Sequence, residues 1–337
     1  MSTVAVWMPI YQEAKHLAKA IESVLGQTFQ DLTLYISDNH STDGSFEIAC
    51  GYAKLDARVV VMRPPAFLAG IPHMKAMWEM LDTRNQEYTI HIGGHDLWQT
   101  TYLETLVKRM QSEVERRVGN PHTIPPALCY SQTFQIDEQD QIVGCYQDIM
   151  QIGQIPRVMV PHFAVTGLNS PHFFGLWWEP IRKRCPIRHS CGGFDHLIIA
   201  QAALHGAILF EGNTALLLRG PPPPTGPGLE YYGNKHFSAA RLAAGYGDYL
   251  DQLEWYLYMI DECLDQVPQE ALPLYRAALT SSMVAIYIAL RGQNLTAVRG
   301  ADVAFYDTPE IKAVLGGFLH SEHHIRALIA KRVPIDD

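Results

Sequence analysis

Apolar positions along the first hundred residues follow two periods in alternation. Residues 3–8 and 32–37 are short β-branched and aromatic runs, and each ends in turn chemistry. The first is followed by Pro9-Ile10-Tyr11-Gln12-Glu13, the second by Asp38-Asn39-His40-Ser41-Thr42-Asp43-Gly44-Ser45. Runs of this kind read as buried strands that deliver polar residues to loops. Between them Leu17, Ile21, Val24 and Leu25 fall at i, i+4, i+7 and i+8, which predicts a helix over 13–25. A second helix is predicted over 45–55, with Thr42, Asp43 or Ser45 as its cap. The pattern continues with a strand at 59–62, a helix at 73–81, a strand at 88–92 and a charged amphipathic helix at 102–116. Strands alternating with helices predict an α/β fold, a mostly parallel sheet joined by crossover helices. Open sheets of this kind bind ligands outside the carboxyl ends of their strands, so the two polar loops are the place to look for a site.

The periodicity changes after residue 126. Segments 127–136 and 142–146 flank Asp137-Glu138-Gln139-Asp140-Gln141 and predict a hairpin. The tract Pro221-Pro222-Pro223-Pro224-Thr225-Gly226-Pro227-Gly228 fits neither helix nor central strand. Beyond it, 229–337 carries helical patterning almost throughout, which divides the chain into a domain at 1–225 and a helical C-terminal region at 229–337, with no internal repeat.

Three segments, Pro9-Ile10-Tyr11-Gln12-Glu13, Gly26-Gln27-Thr28-Phe29 and the octet from Asp38 to Ser45, together resemble the opening of a family 2 glycosyltransferase of the GT-A fold. The family pattern is a Pro-x-Tyr-Asn-Glu loop, Gln-Thr before an aromatic, and Asp-Asp-Gly-Ser-Thr-Asp-Gly-Thr. The resemblance implies a Rossmann-like sheet with a small mixed sheet beside the acceptor site. It implies a nucleotide diphosphate sugar, most often UDP-linked, as donor, and a glycan or lipid-linked sugar of a surface polysaccharide as acceptor. A direct displacement inverting the anomeric carbon is the implied reaction.

Composition limits the alternatives. The chain has 337 residues, enough for a large core plus an appendage, and is 47% hydrophobic, as soluble globular proteins are. A net charge of -9 argues against nonspecific binding to nucleic acid or anionic lipid. The N-terminus lacks a basic start followed by an apolar core, so no signal peptide is expected. The apolar run 277–290 falls short of the roughly 18 residues a transmembrane helix needs and reads as a buried or interfacial helix. Six cysteines without C-x-x-C spacing read as reduced, mostly buried thiols. A cytoplasmic protein is expected, peripheral at most to the inner face of the membrane, with the C-terminal helices available for self-association.

The resemblance assigns Asp38 to the base edge of the nucleotide and Pro9, Tyr11 and Glu13 to the base and ribose pocket. Asp38 read by itself is equally a turn cap. After the fourth strand the family carries Asp-x-Asp, which holds a divalent cation on the phosphates. Here the stretch is His91-Ile92-Gly93-Gly94-His95-Asp96-Leu97-Trp98, in which Asp96 with His95 is what remains to hold Mn²⁺ or Mg²⁺. Asp195, in Gly192-Gly193-Phe194-Asp195-His196, matches the family's base at the head of a helix, and Arg219 closes the following strand where it could reach the phosphates. Trp177, Trp178 and His196 are candidates for the acceptor pocket, with Asn169 and His172 at its mouth, although indoles are as often core. His320, His323 and His324 read as a solvated helix face. Two other classes are compatible with these residues: a GT-A-like protein that binds nucleotide sugar without catalysis, and a nucleotidyltransferase. The latter would show a Gly-rich loop with a basic residue after the first strand, and 9–13 has neither.

Overall fold

Residues that alternate between two cores make the first strand the centre of the sheet. In β1, Val4–Ile10, the side chains of Val4, Val6, Met8 and Ile10 join one buried cluster and those of Ala5 and Trp7 the other. Burial on both faces is what a parallel strand covered by helices requires. Helix α1, Ala14–Leu25, closes the first face with Leu17, Ala20, Ile21 and Val24. Helix α3, Gly70–Met80, closes the second with Met77 and Trp78, whose ring meets Trp7 edge-on at 5.8 Å. The computed structural model describes residues 4–117, 119–120, 123–146, 171–188 and 194–220, with 254–255, 257–259, 261, 269, 272–273 and 326–327.

Strands β2 (Leu32–Asp38) and β3 (Val59–Met62) extend the sheet on one side of β1, and β4 (Tyr88–His91) extends it on the other, all parallel. The chain steps outward through α1 and α2 (Ser45–Leu55), then returns through α3 across β1. Strand order therefore reverses at β1, and the loops leaving β1 and β4 part at that point, where open α/β sheets hold ligands.

After β5 (Leu97–Trp98) and α4 (Tyr102–Arg117) comes the expected hairpin, β6 (Pro126–Ile136) and β7 (Ile142–Cys145). A three-residue strand absent from the sequence pattern, β8 (Leu176–Trp178), runs antiparallel to both β4 and β6. It makes the mixed part continuous with the parallel part instead of a separate small sheet. β9 (Ala207–Arg219) lies parallel to β6, and β5 pairs antiparallel with it, giving one nine-stranded sheet. Helices α5 (Glu179–Arg182) and α6 (Phe194–His205) follow β8.

Arg182 is 1% exposed and ties these layers together, donating to Glu179 Oε1 at 2.6 Å, Asp82 Oδ1 at 2.6 Å and Trp78 O at 3.1 Å. Of the described cysteines, Cys129 and Cys185 are buried, Cys50 is half-buried and Cys145 is exposed, and all four are free thiols. No described helix is long and apolar enough to cross a membrane. The domain boundary near 225, the proline tract, the run 277–290, the histidines 320–324, Cys191, Cys263 and nearly all of 229–337 lie outside the described residues.

Candidate functional site

The loops after β1 and β2 are stitched into one surface. Gln12 and His40 both adopt left-handed backbone, at φ of 59° and 61°, a conformation that costs a non-glycine residue about 1 kcal/mol or more. Gln12 is held there by its N–H donating to Ser41 Oγ at 2.9 Å, and by its Oε1 accepting from Thr42 N at 2.8 Å. One residue on, Glu13 N donates to Ser45 Oγ at 2.9 Å. Strain kept by such cross-bonds is a mark of a site that needs fixed loop geometry.

Asp38, the last residue of β2, is fully buried. Its Oδ2 accepts from Arg63 Nε at 2.9 Å and Nη2 at 2.6 Å and from Ser41 N at 3.2 Å, while Oδ1 has no hydrogen-bond partner. A buried acceptor left open is costly unless a ligand donor fills it. The Arg63 guanidinium lies 3.8 Å over the Phe46 ring, so its orientation is fixed from two sides. Behind Asp38, the His73 ring nitrogen Nε2 is 2.8 Å from Ser37 Oγ, and burial pushes its pKa down to about 4 against the opposing pull of Asp38. The imidazole is therefore neutral. At the rim, Tyr11 and Phe67 are 41% and 54% exposed and meet edge to face at 5.2 Å. Pro9 sits at the carboxyl end of β1, paired in register with Ser37.

The turn between β4 and β5 comes down directly on Glu13. His95 Nδ1 lies 2.9 and 3.0 Å from the two Glu13 oxygens. Burial acts to lower the His95 pKa, but the Glu13 hydrogen bond and the charges of Asp96 and Glu13 outweigh it and raise the value to about 9. Nε2 is 3.8 Å from Asp96 Oδ1, beyond hydrogen-bond reach, on a side chain that is 39% exposed. Asp96 itself is 1% exposed, and its Oδ1 accepts from Arg219 N at 2.8 Å and its Oδ2 from Gly93 N at 3.2 Å. Burial pushes its carboxyl above the usual range, opposed by His95 and those two N–H groups.

Arg219 ends β9 in the same place but turns inward. Its Nε donates to His95 O at 3.0 Å, and its two terminal nitrogens donate to Asp137 O and Asp140 Oδ1 in the hairpin turn. The guanidinium is thus engaged by protein groups and positions the turn that bears His95 and Asp96. The same hairpin turn pairs Glu138 with Lys15 and His16, and Asp140 with Lys19.

Asp195 is the second residue of α6, and His196 Nε2 stands 3.9 Å from its Oδ2. The helix start is anchored by Phe194, whose ring meets Phe173 at 5.5 Å, and Phe173 in turn meets Trp7 at 5.9 Å and His91 at 5.3 Å. This chain of rings ties the start of α6 to the middle of β1 and the carboxyl end of β4. Trp177 is fully buried, donates from Nε1 to Phe173 O at 3.2 Å and packs on Trp78 at 5.3 Å, so among the described residues it is part of the core. Trp178 is half-buried opposite Tyr88 in the β4–β8 pairing, and His172 is buried with its ring 4.3 Å from Tyr130. Asn169, Gly192 and Gly193 lie outside the described residues.

Sequence reasoning passed over Arg63, Phe67 and His73. Arg63 had a usable signal, being the first charged residue after the third apolar run, the place Asp38 takes after the second.

Residues 5–122 match the family model described as Glycosyl transferase family 2. The chain is 29% identical over 118 residues to Glycosyltransferase GlyG of Streptococcus pneumoniae serotype 4, covering 35% of this chain and 38% of that protein. It is 22% identical over 198 residues to the Putative teichuronic acid biosynthesis glycosyltransferase TuaG of Bacillus subtilis, covering 53% of this chain and 72% of that one. The matches to GlyG and to a second pneumococcal protein, Glycosyltransferase GlyA, span 38% and 16% of those proteins. Among solved structures, S. aureus TarS 1–349 in complex with UDP-GlcNAc superimposes with a TM-score of 0.52 at 13% identity, over 99% of this chain and 94% of that one. The match over 5–122 and the likeness in fold agree: residues 5–122 resemble a glycosyl transferase family 2 domain, on an α/β sheet of the GT-A kind.

Proposed function

We propose that this chain moves a sugar from a nucleotide diphosphate donor, UDP-linked, to a hydroxyl of a glycan or lipid-linked acceptor, with inversion at the anomeric carbon. The observation that carries the reading is Asp38: a buried carboxylate at a strand's carboxyl end, one oxygen clamped by Arg63 and the other without a hydrogen-bond partner. An imide N–H of a uracil-type base would satisfy that oxygen, with the base against the rim aromatics Tyr11 and Phe67. The teichuronic acid role in TuaG's name and the UDP-GlcNAc bound to TarS make a UDP-sugar and a surface-polymer acceptor the first substrates to try.

In the reaction, the acceptor oxygen attacks the anomeric carbon as the bond to the diphosphate oxygen breaks. Asp195 takes the acceptor proton, and the diphosphate leaves with the bonding electrons. Stabilising that departing charge is the second task. Enzymes of this fold commonly give it to a divalent cation, but the residues here do not fit one. Both Asp96 oxygens already accept backbone N–H groups, the carboxylate is 1% exposed, and among the described residues no group of three His, Cys, Asp or Glu side chains is arranged to hold a cation. No step is therefore assigned to a metal.

We take residues 1–225 as the catalytic unit and 229–337 as a helical appendage, and assign the protein to the cytoplasm. The test is titration of UDP and GDP into wild type and Asp38→Asn. UDP affinity should fall about tenfold or more in the variant, the cost of one buried charge-assisted hydrogen bond. Equal affinity in both proteins would remove Asp38 from the base edge. The occupied state of Asp96 also favours a second reading, a nucleotide-sugar binder without turnover. Release of UDP from a panel of UDP-sugars, lost in Asp195→Asn, separates the two.

A further inference from the structure

Helix α6, with Asp195 near its start, is apolar almost all round, and every residue from 197 to 205 is buried. A helix of that kind needs cover on all sides, and a sheet face covers one side only. Against it lie β6, β9 and residues 171–174. Part of the remaining cover comes from far along the chain. Residues 254–255, 257–259 and 261 are helical, and Trp255, Leu257 and Met259 are buried in the same cluster as Leu197 and Ile198 of α6 and Trp78 of α3. Trp255 and Met259 are four residues apart and so share one face of their helix. The helical appendage therefore reaches into the catalytic unit.

The stretch that leads from α5 towards α6 is pinned from several sides. Cys185 O accepts from Trp78 Nε1 at 3.0 Å, Pro186 O from Gln201 Nε2 at 3.3 Å and Arg188 O from Lys75 Nζ at 3.5 Å. The Arg188 side chain is held by the C-terminal region, its guanidinium lying 3.1 Å over the ring of Tyr258.

Resting on the reading of Asp195 as base, we infer that the C-terminal segment 254–259 is a positioning element of the catalytic centre. Trp255 and Met259 close the second core around α6, and Tyr258, through Arg188, fixes the approach to Asp195. The nucleotide pocket does not depend on this segment. Tyr11 and Phe67, at the rim of the Asp38 pocket, belong neither to that cluster nor to its partly buried margin. The segment thus serves the chemical step and leaves nucleotide binding alone.

Trp255 is too deeply buried for its truncation to be informative, so the half-buried Tyr258 is the residue to vary. The experiment compares full-length wild type, Tyr258→Leu, Tyr258→Phe and Arg188→Ala. It reads turnover of UDP-sugars, calorimetric UDP affinity and amide hydrogen exchange over 194–205. In Tyr258→Leu and Arg188→Ala kcat should fall about three- to thirtyfold, between the loss of a cation–π contact and the misplacement of a base. UDP affinity should stay within about twofold, and exchange over 194–205 should quicken. Tyr258→Phe retains the stacking ring and should restore the wild-type rate. Combining Tyr258→Leu with Arg188→Ala should cost no more than either alone, because both remove one contact. An unchanged kcat in Tyr258→Leu would overturn the inference, as would unchanged exchange over 194–205 or a loss of UDP affinity that parallels the loss of rate. Each of these leaves the transferase reading intact. Wild type that binds UDP but turns over no UDP-sugar would overturn the reading of Asp195 as base, and this inference with it.

Discussion

Asp43 of the second loop caps the helix that follows the first: its Oδ2 accepts the backbone N–H of Ala14 at 2.9 Å. The other oxygen accepts from Ser45 N at 3.0 Å and Ser45 Oγ at 2.6 Å, so one carboxylate closes the start of α1 and of α2. Neither helix is capped by the side chain that precedes it, which explains why both depend on this residue. Burial works to raise the Asp43 pKa, but the hydrogen bonds from Ser45 and Ala14 outweigh it and hold the carboxyl below its ordinary value of 3.8.

Asp43→Ala should accordingly destabilise the fold by about 1–2 kcal/mol, the cost of a lost N-cap. Asp43→Asn should recover part of that. Because the folded-state pKa is depressed, the charged cap contributes fully above the ordinary value and is lost as pH falls through the folded one. Denaturant titrations of the three proteins at neutral pH measure the effect, and equal midpoints would show the loops held by other contacts.

The octet containing Asp43 was legible in the sequence as a unit but not in its division of labour. Asp38 and Asp43 look alike on paper. The structure makes one a buried strand-end acceptor and the other a double helix cap, and only the crossing of the loops distinguishes them. The parallel half of the sheet was readable because β1, β2 and β4 are long enough, or apolar enough, to show their period. β8 was not readable, since three residues in an aromatic stretch carry no period, and that strand decides that the sheet is continuous. The directions of the Asp96 and Arg219 side chains cannot be read from the sequence. They depend on the bond from Arg219 N to Asp96 Oδ1 and on the hairpin turn at Asp137 and Asp140, contacts remote in sequence.

Acid should loosen the second core through its neutral histidines. His73 is 4% exposed with a pKa lowered to about 4, and His91, wholly within rings of Trp7, Phe173 and Phe174, is lowered by burial to about 3. Between each folded value and the ordinary one of 6.5, the unfolded chain binds a proton that the folded chain does not. Stability is therefore highest above that window and falls as pH drops through it. For His73 the loss is on the order of 3 kcal/mol at most between neutral pH and about pH 4. Unfolding free energies measured across this range should slope downward, and more shallowly for His73→Asn. An unchanged slope in that variant would shift the effect to other groups.

Two glycines should respond to alanine in opposite ways. Gly51 is inside α2 and a Cβ there meets nothing within 4 Å, so Gly51→Ala should stabilise by about 0.5–1 kcal/mol through helix propensity. Gly93→Ala places its methyl 2.6 Å from Asp96 Oδ2 and should destabilise by about 1–3 kcal/mol as the turn shifts. Thermal unfolding of both variants, with UDP titration of the second, separates a helix effect from a change in the turn. A stable Gly93→Ala with normal UDP binding would mean that the contact between turn and Asp96 is not needed.

Asp195 is the residue whose substitution should divide binding from chemistry. Its helix is anchored by Phe194 against Phe173, and the carboxylate sits at the helix start rather than in the Asp38 pocket. Asp195→Asn keeps the size of the side chain while removing the proton acceptor. The expected outcome is a fall in kcat of about 10²–10⁴-fold, the usual contribution of a general base, with UDP affinity unchanged. His196 stands 3.9 Å from Asp195, so His196→Ala should act through the position of that carboxylate and cost less than about tenfold in kcat. Rates that fall equally in both variants would make the pair, and not Asp195 alone, the base. An unchanged rate in Asp195→Asn would move proton acceptance to a different group at the mouth of the site.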